Sequence, residues 1–380
     1  MLTAFSAPPT YTLSAIENAT EGSAYSELIS SGRDLKIMMV NAVSVIIPTR
    51  GYSDNLRAAV LSLTRTAVSE IIVVSKAAIN VSSLCSDGRV KLLFAPEAGL
   101  SEARNLGVSK SSSDIVAFTD DDCTVPQDWP LLALEVFADS NVGVVGGPGV
   151  TDSADSWRSK CSGAVLSTRL GTSTSVYRYT AISDRPKAAG EKQLSTCNLF
   201  FRRSVLDELS YFHPVLETCE ENELIERIRS AGYMVLYSPA CVVFHHRRPL
   251  FRPFLRQISK YAKGRAVFIL EFPKFLRPVC IVPSILVLLT LMLLILSIFS
   301  LRFAGVLAVI LTIYSLMIAI AAVISTPKNR LKLRFAPLVF LGIVTMHYCY
   351  GLSFLIGLCN AVKTRGLCEL ASTLQEPSGE

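Results

Sequence analysis

The chain has 380 residues, half of them hydrophobic and 18% charged, which is too apolar for a wholly soluble protein of this size. Its net charge of +6 is modest, and basic residues cluster between Arg247 and Arg277, directly before a long apolar region; this suits an anionic membrane surface and argues against a nucleic-acid partner. The ten cysteines fall singly, as at Cys85, Cys123, Cys161, Cys197 and Cys241, a spacing that excludes zinc-ribbon and Cys-x-x-Cys redox motifs and fits buried thiols in a reducing compartment.

Residues 1–40 are rich in Ser, Ala, Thr and Pro, show neither helical nor strand periodicity, and lack the basic start and apolar run of a signal peptide. They are expected to form a disordered tail, and the adjacent Met38 and Met39 suggest a natural start just before the first strand. From Val43 onward, short β-branched runs alternate with helical patterns: "VSVIIPT", a helix from about Asp54 to Thr66, "EIIVVS", "VKLLFA", a helix from Ser101 to Ser109, then "DIVAFTD". Strand–helix alternation of this kind predicts an α/β domain with a parallel sheet covered on both faces, whose ligands bind at the carboxyl ends of the strands.

Between Phe251 and Pro278, basic and apolar residues interleave as in helices lying flat on a bilayer. Within this stretch Gln257, Lys260 and Tyr261 resemble, in degenerate form, the Gln-x-x-Arg-Trp motif of processive polysaccharide synthases, and they are read in preference as part of that amphipathic surface. Three uncharged stretches follow, roughly Val279 to Leu301, Phe303 to Thr326 and Phe335 to Val362, each long enough to cross a hydrocarbon core of about 30 Å. A central Lys or Arg costs about 3 kcal/mol in such a span, so the lack of charge identifies them as transmembrane helices. The loop between the second and third carries Lys328, Arg330, Lys332 and Arg334, whereas the turn after the first has only Arg302. The positive-inside rule therefore predicts a multi-pass protein of the cell membrane with its large domain in the cytoplasm.

Chemistry concentrates at two places. Asp120, Asp121 and Asp122 follow the strand "DIVAFT"; three adjacent carboxylates repel one another, and at the carboxyl end of a buried strand they call for a cation. Mg²⁺ or Mn²⁺ takes one or two carboxylates and completes its shell with water and phosphate oxygens, so the triplet implies a diphosphate ligand. Further on, Glu220 and Glu221 open a helix containing Leu224, Ile225 and Ile228, where the helix dipole favours anions. Glu220 reads as acidity at a helix start, and Glu221 as a candidate general base for an acceptor hydroxyl.

The pieces "VSVIIPTRG", "GLSEARNLGVSKSSSDIVAFTDDDC", "STCNLFFRRSVL", "EENEL" and "YSPACVVFHHRR" occur in an order and spacing that resemble the family 2 glycosyltransferases. The resemblance runs from Val43 to about Arg265. It implies a GT-A fold, a Rossmann-like nucleotide-diphospho-sugar transferase domain over residues 41–248. It places Pro48 and Thr49 in the base pocket, with Ser75 standing where the family usually has Asp, and Arg104 near the donor diphosphate. Asp120 and Asp122 match its Asp-x-Asp motif and, with His245, are the expected metal positions; Asp120 and Asp121 also belong to the donor site. Asn198, Arg202 and Glu220 fall on the acceptor side, and Glu221 takes the place of the catalytic base. His246 is an alternative to His245.

The expected function is inverting transfer of a sugar from a UDP- or GDP-sugar to a lipid-linked or membrane-proximal acceptor in glycan or polysaccharide assembly. The alternatives are a processive polysaccharide synthase and an inactive membrane scaffold. The expected layout continues with an interfacial segment over residues 249–278, three spans, and a tail over residues 363–380.

Overall fold

The computed structural model describes residues 43–375, with side chains to residue 363; the expected tail over residues 1–40 and the start at Met38 or Met39 lie outside the described residues. The strands are β1 (Val43–Thr49), β2 (Glu70–Ser75), β3 (Val90–Phe94), β4 (Ile115–Phe118), β5 (Cys123–Thr124), β6 (Val142–Gly146), β7 (Gly149–Thr151), β8 (Lys187–Ala188), β9 (Leu199–Arg202), β10 (Met234–Tyr237) and β11 (Val243–His245). The helices that position the site are α1 (Asp54–Leu63), α2 (Leu100–Lys110), α3 (Trp157–Leu166), α4 (Glu220–Ser230), α5 (Arg252–Glu271), α6 (Pro278–Ser297), α7 (Leu301–Lys328) and α8 (Ala336–Gln375).

One eight-stranded sheet runs in the order β3-β2-β1-β4-β9-β6-β10-β8, and a smaller sheet joins β5, β11 and β7. The four strands β3-β2-β1-β4 are parallel, as the sequence predicts. The all-parallel expectation fails at β9, which inserts antiparallel between β4 and β6, and again at the edge strand β8. Together these features form a GT-A-like fold.

Every residue of β1 is buried, because both faces of the sheet are covered. Val45 and Ile47 pack with Leu56, Val60 and Leu63 of α1 on one face. Ile46 packs on the other with Ala103 and Val108 of α2. Ser53 caps α1 by accepting a hydrogen bond from the Leu56 amide at 3.0 Å, which fixes where the chain turns back from the end of β1.

After the α/β domain come three helical segments long and apolar enough to cross a membrane, Pro278–Ser297, Leu301–Lys328 and Leu333–Lys363. Only 22%, 17% and 39% of their most apolar windows are buried, so most of this surface faces outward, opposite to the helices of a soluble core. They sit close against the α/β domain. Ser325 donates to the Ala164 carbonyl at 2.6 Å, Asn329 to Ser167 at 2.9 Å, and Trp157 stacks on Phe335 at 5.3 Å. The basic loop between the second and third segments thus lies on the domain side.

Two features differ from the sequence reading. Phe254, Ile258, Ala262 and Ala266 of α5 recur every fourth residue, and this stripe is buried within the protein rather than offered to a bilayer. Ser353 donates to Ser259 at 2.8 Å across the contact between α5 and α8. The last helix also continues to Gln375, beyond the expected end of the third span.

Candidate active site

The carboxyl ends of β1 and β4, the start of α4 and the inner face of α5 surround one cavity of about 1430 Å³. Pro48 and Thr49 reach it at the end of β1, and Asp120, Asp121 and Asp122 just beyond β4. Thr49 donates a hydrogen bond to Asp121 at 2.6 Å, tying the two strand ends together. Burial raises the Asp121 carboxyl above its ordinary value, with Thr49 opposing and the neighbouring Asp122 charge adding to the rise.

His245 arrives through the small sheet, where its backbone pairs with Cys123 across β5 and β11. Its Nε2 lies 3.1 Å from Asp122, while Nδ1 faces an Arg247 guanidinium nitrogen at 3.0 Å. Burial alone would raise Asp122 and lower His245; their mutual attraction reverses both shifts, and a divalent ion bound here would take the place of the His245 proton, since only the neutral imidazole can ligate it. Asp120 moves the other way. Burial and the charges of its neighbours push its carboxyl up, against the pull of Arg104. Ligand atoms of Asp120, Asp122, Cys123 and His245 all fall within 4.8 Å of one another, close enough for one cation. Cys123 and Cys197, which read as isolated in the sequence, converge with His245 in a second, overlapping group. His246 does not join it: its Nδ1 is 2.8 Å from Asp155.

Across the cavity, α4 begins at Cys219, whose φ of 63° lies in the left-handed region and is uncommon outside glycine. That backbone turn presents Glu220 and Glu221 together at a helix start. Arg104 on α2 is 2% exposed and donates to Glu220 at 2.5 Å and to Thr196 at 3.0 Å, with Asp120 at 3.8 Å. It therefore bridges the two acidic groups as well as lining the cavity. Glu221 accepts from Arg178 at 3.0 Å, and Arg178 also donates to Asn222 at 3.0 Å.

Three expected positions are not brought to the cavity. Ser75 is 2% exposed, its hydroxyl donates to the Ala77 carbonyl at 2.7 Å, and the neighbouring Lys76 lines the cavity in its place. Asn198 is fully buried, donating to the Pro148 and Cys241 carbonyls at 3.2 and 2.6 Å and accepting from Trp129 at 2.9 Å, so its role is to lock the core. Arg202 pairs with Ile115 at the opposite end of β4, because β9 runs antiparallel, and it donates to the carbonyls of Val142, Phe137 and Asp139.

Other residues emerge only in the fold. Arg50, Lys76 and Arg248 line the cavity near the aspartates and make no salt bridge among the described residues. Arg248 closes the "FHHRR" segment, the one sequence signal for this group. Gln257, Lys260 and Tyr261 also line the cavity, correcting their assignment to an external amphipathic surface.

A twisted α/β sheet with an acidic cluster at its strand ends, unpaired cations beside it and a carboxylate at a facing helix start is the arrangement of a GT-A-like fold with its ligand site at the strand ends. Residues 44–210 match the family described as Glycosyl transferase family 2. It is 26% identical over 234 residues to the glycosyltransferase AglE of Haloferax volcanii, covering 59% of this chain and 72% of that one. It is 26% identical over 246 residues to a pre-mycofactocin glycosyltransferase of Mycobacterium tuberculosis, covering 63% of this chain and 50% of that one. Among solved structures, the mannosyltransferase PcManGT from Pyrobaculum calidifontis, in complex with GDP-Man and Mn²⁺, superposes with a TM-score of 0.51 at 16% identity. That superposition covers 83% of this chain and 86% of PcManGT, and it is a likeness of fold.

Proposed function

We propose that the chain is a membrane-anchored, metal-dependent, inverting glycosyltransferase that moves a sugar from a UDP- or GDP-sugar to a lipid-linked or membrane-proximal acceptor at the cytoplasmic face. The observation that carries this reading is that one cavity holds the aspartate cluster, the paired Glu221 and the approach to the apolar helices. The group offers two carboxylates and an imidazole beside the Cys123 thiol, and Asp120, Asp122 and His245 would hold a hard divalent ion, Mg²⁺ or Mn²⁺. Such an ion supplies positive charge where the leaving diphosphate becomes more negative.

The chain's own residues supply the rest. Pro48 and Thr49 border the base side, and Arg50, Lys76 and Arg248 offer unpaired cations to the donor phosphates. Arg178 holds the Glu221 carboxylate in place. In the reaction the acceptor oxygen bonds to the anomeric carbon from the face opposite the nucleotide, and its proton passes to Glu221. The bond between that carbon and the phosphate oxygen breaks, and the nucleoside diphosphate leaves with the electron pair. Attack from the opposite face inverts the anomeric centre.

Detergent-purified protein incubated with a panel of nucleotide sugars, Mn²⁺ or Mg²⁺, and membrane lipid extract should label lipid from one donor, and EDTA should abolish the labelling. Glu221→Gln should reduce turnover by about 10²- to 10⁴-fold while donor binding stays near the parent value. Undiminished turnover in that variant would remove Glu221 from the role of base.

A further inference from the structure

The cavity does not end at Glu221. The same walls include Lys260, Tyr261 and Arg265 of α5, Arg277 ahead of α6, and apolar side chains of α6, α7 and α8, among them Val282, Leu286, Met317, Ile318 and Met346. All of these line the same space as Asp120 and Asp122.

The basic collar is short of partners. Arg265 is within electrostatic reach of Cys219 and Glu221 on one side and of Cys280 and Tyr350 on the other, so it stands at the border between the acidic and the apolar parts. Apart from a contact with the Phe268 ring, it has no salt bridge or side-chain hydrogen bond among the described residues. Arg277 touches Glu191 at 3.3 Å through one terminal nitrogen, but its buried Nε has no partner. Cationic groups partly withdrawn from water are costly unless an anion meets them. The position where such an anion is wanted lies between a base that takes a hydroxyl proton and a cleft that accepts hydrocarbon.

We propose that the acceptor is a phosphate-bearing lipid whose chain lies in the cleft between α6, α7 and α8, whose phosphate is held by Arg265 and Arg277, and whose hydroxyl reaches Glu221. This inference rests on the glycosyltransferase reading above and adds the chemical class and orientation of the acceptor. Leu286 of α6 and Ile318 of α7 both line this cleft. A neutral glycan would leave the collar unmatched, and a soluble phosphorylated sugar would leave the apolar part empty.

The test uses the full chain in detergent and a photoreactive long-chain lipid diphosphate as probe, compared with the uncharged alcohol of the same chain. Labelling should map to α6 and α7, with the diphosphate labelling at least about tenfold more strongly than the alcohol. Leu286→Trp and Arg265→Gln should each reduce labelling by about tenfold. Leu291→Trp, on the same helix but outside the cavity, should label like the parent. Labelling outside these helices, equal labelling by the alcohol, or parent-like labelling of Leu286→Trp would overturn the placement of the lipid. Metal-dependent donor hydrolysis is measured in parallel on the parent. A parent that hydrolyses no donor and yet labels between the helices would overturn the glycosyltransferase reading and the acceptor role with it; active hydrolysis with labelling elsewhere would overturn this inference alone.

Discussion

Replacing Arg104 by Gln tests the electrostatic frame of the site most directly. Arg104 is almost fully buried, 2.5 Å from Glu220 and 3.8 Å from Asp120. Burial and the adjacent Glu221 already raise the Glu220 carboxyl, and Arg104 is the cation that opposes the rise. Without it the protein must keep an uncompensated buried carboxylate or protonate it, and breaking a buried pair from one side costs about 3–5 kcal/mol. In a domain of this size that corresponds to a fall of roughly 6–20 °C in the unfolding midpoint. The deficit also has a pH signature. A carboxyl whose folded pKa lies above its unfolded value costs stability as pH rises past the unfolded value, so Arg104→Gln should fall further below the parent at about pH 8 than at about pH 5. Scanning fluorimetry of the purified protein at both pH values measures this. Arg104→Gln combined with Glu220→Gln should recover at least half of the loss, because no buried charge is then left unpaired in that pair. A single variant within about 2 °C of the parent, or a double variant no better than the single, would refute the argument that Arg104 offsets these carboxylates.

Two further predictions separate stability from catalysis. Glu70 lies at the amino end of β2, and its carboxylate takes hydrogen bonds from Ser44 at 2.5 Å and the Ser112 amide at 2.6 Å, with Lys91 also paired to it. Burial would raise its pKa, but Lys91, Ser44 and Ser112 together lower it below 4.5. Its contribution is therefore complete above the unfolded value and lost as pH falls through the folded one. Glu70→Gln should cost about 1.5–3 kcal/mol at neutral pH, a difference that vanishes in acid and leaves turnover of the folded enzyme unchanged; an equal deficit at every pH would contradict it. At the other end of the sheet, a Cβ on Gly264 of α5 would collide with Thr218, which precedes the start of α4. Gly264→Ala should shift Glu221 and reduce turnover by on the order of 10²-fold, and adding Thr218→Gly should restore much of it; a variant with parent kinetics would show that this contact does not position the base.

The strand ends were legible because period and polarity change together there. A run of buried residues stops at Pro48–Thr49, and another at three aspartates, so the chemistry stands next to its structural signal. Arg178 left no such trace. It ends a short 3-10 helix, Ser173–Arg178, whose sequence carries no period, and only the fold brings it 3.0 Å from Glu221. Cys123 and Cys197 also looked isolated, since the pairing of β5 with β11 brings Cys123 to His245 and the turn ahead of β9 brings Cys197 there, with no spacing along the chain to mark either. Asn198 and Arg202 show how a correct general rule can mislead locally. Ligands gather at the carboxyl ends of parallel strands, but β9 runs the other way, so Arg202 is carried to the far edge of the sheet and Asn198 is turned into the core.

The residues at 257–265 are the most instructive case, because amphipathicity reports that a helix has two faces but not what covers either of them. The apolar stripe of α5 reads equally well as a face for lipid or for protein. Here α8 and the α/β domain cover it, which leaves the edge bearing Lys260, Tyr261 and Arg265 turned into the cavity. Function at that edge depends on the docking of a third apolar helix more than 60 residues further along the chain. Single-sequence periodicity carries no record of that contact, whereas the packing of Ser353 on Ser259 and of α5 on the loop at Thr218 fixes it in space. On the function proposed above, the same docking lets a soluble sugar nucleotide and a membrane-bound acceptor meet in one cavity: the helix that lines the acidic site is the helix that packs against α8.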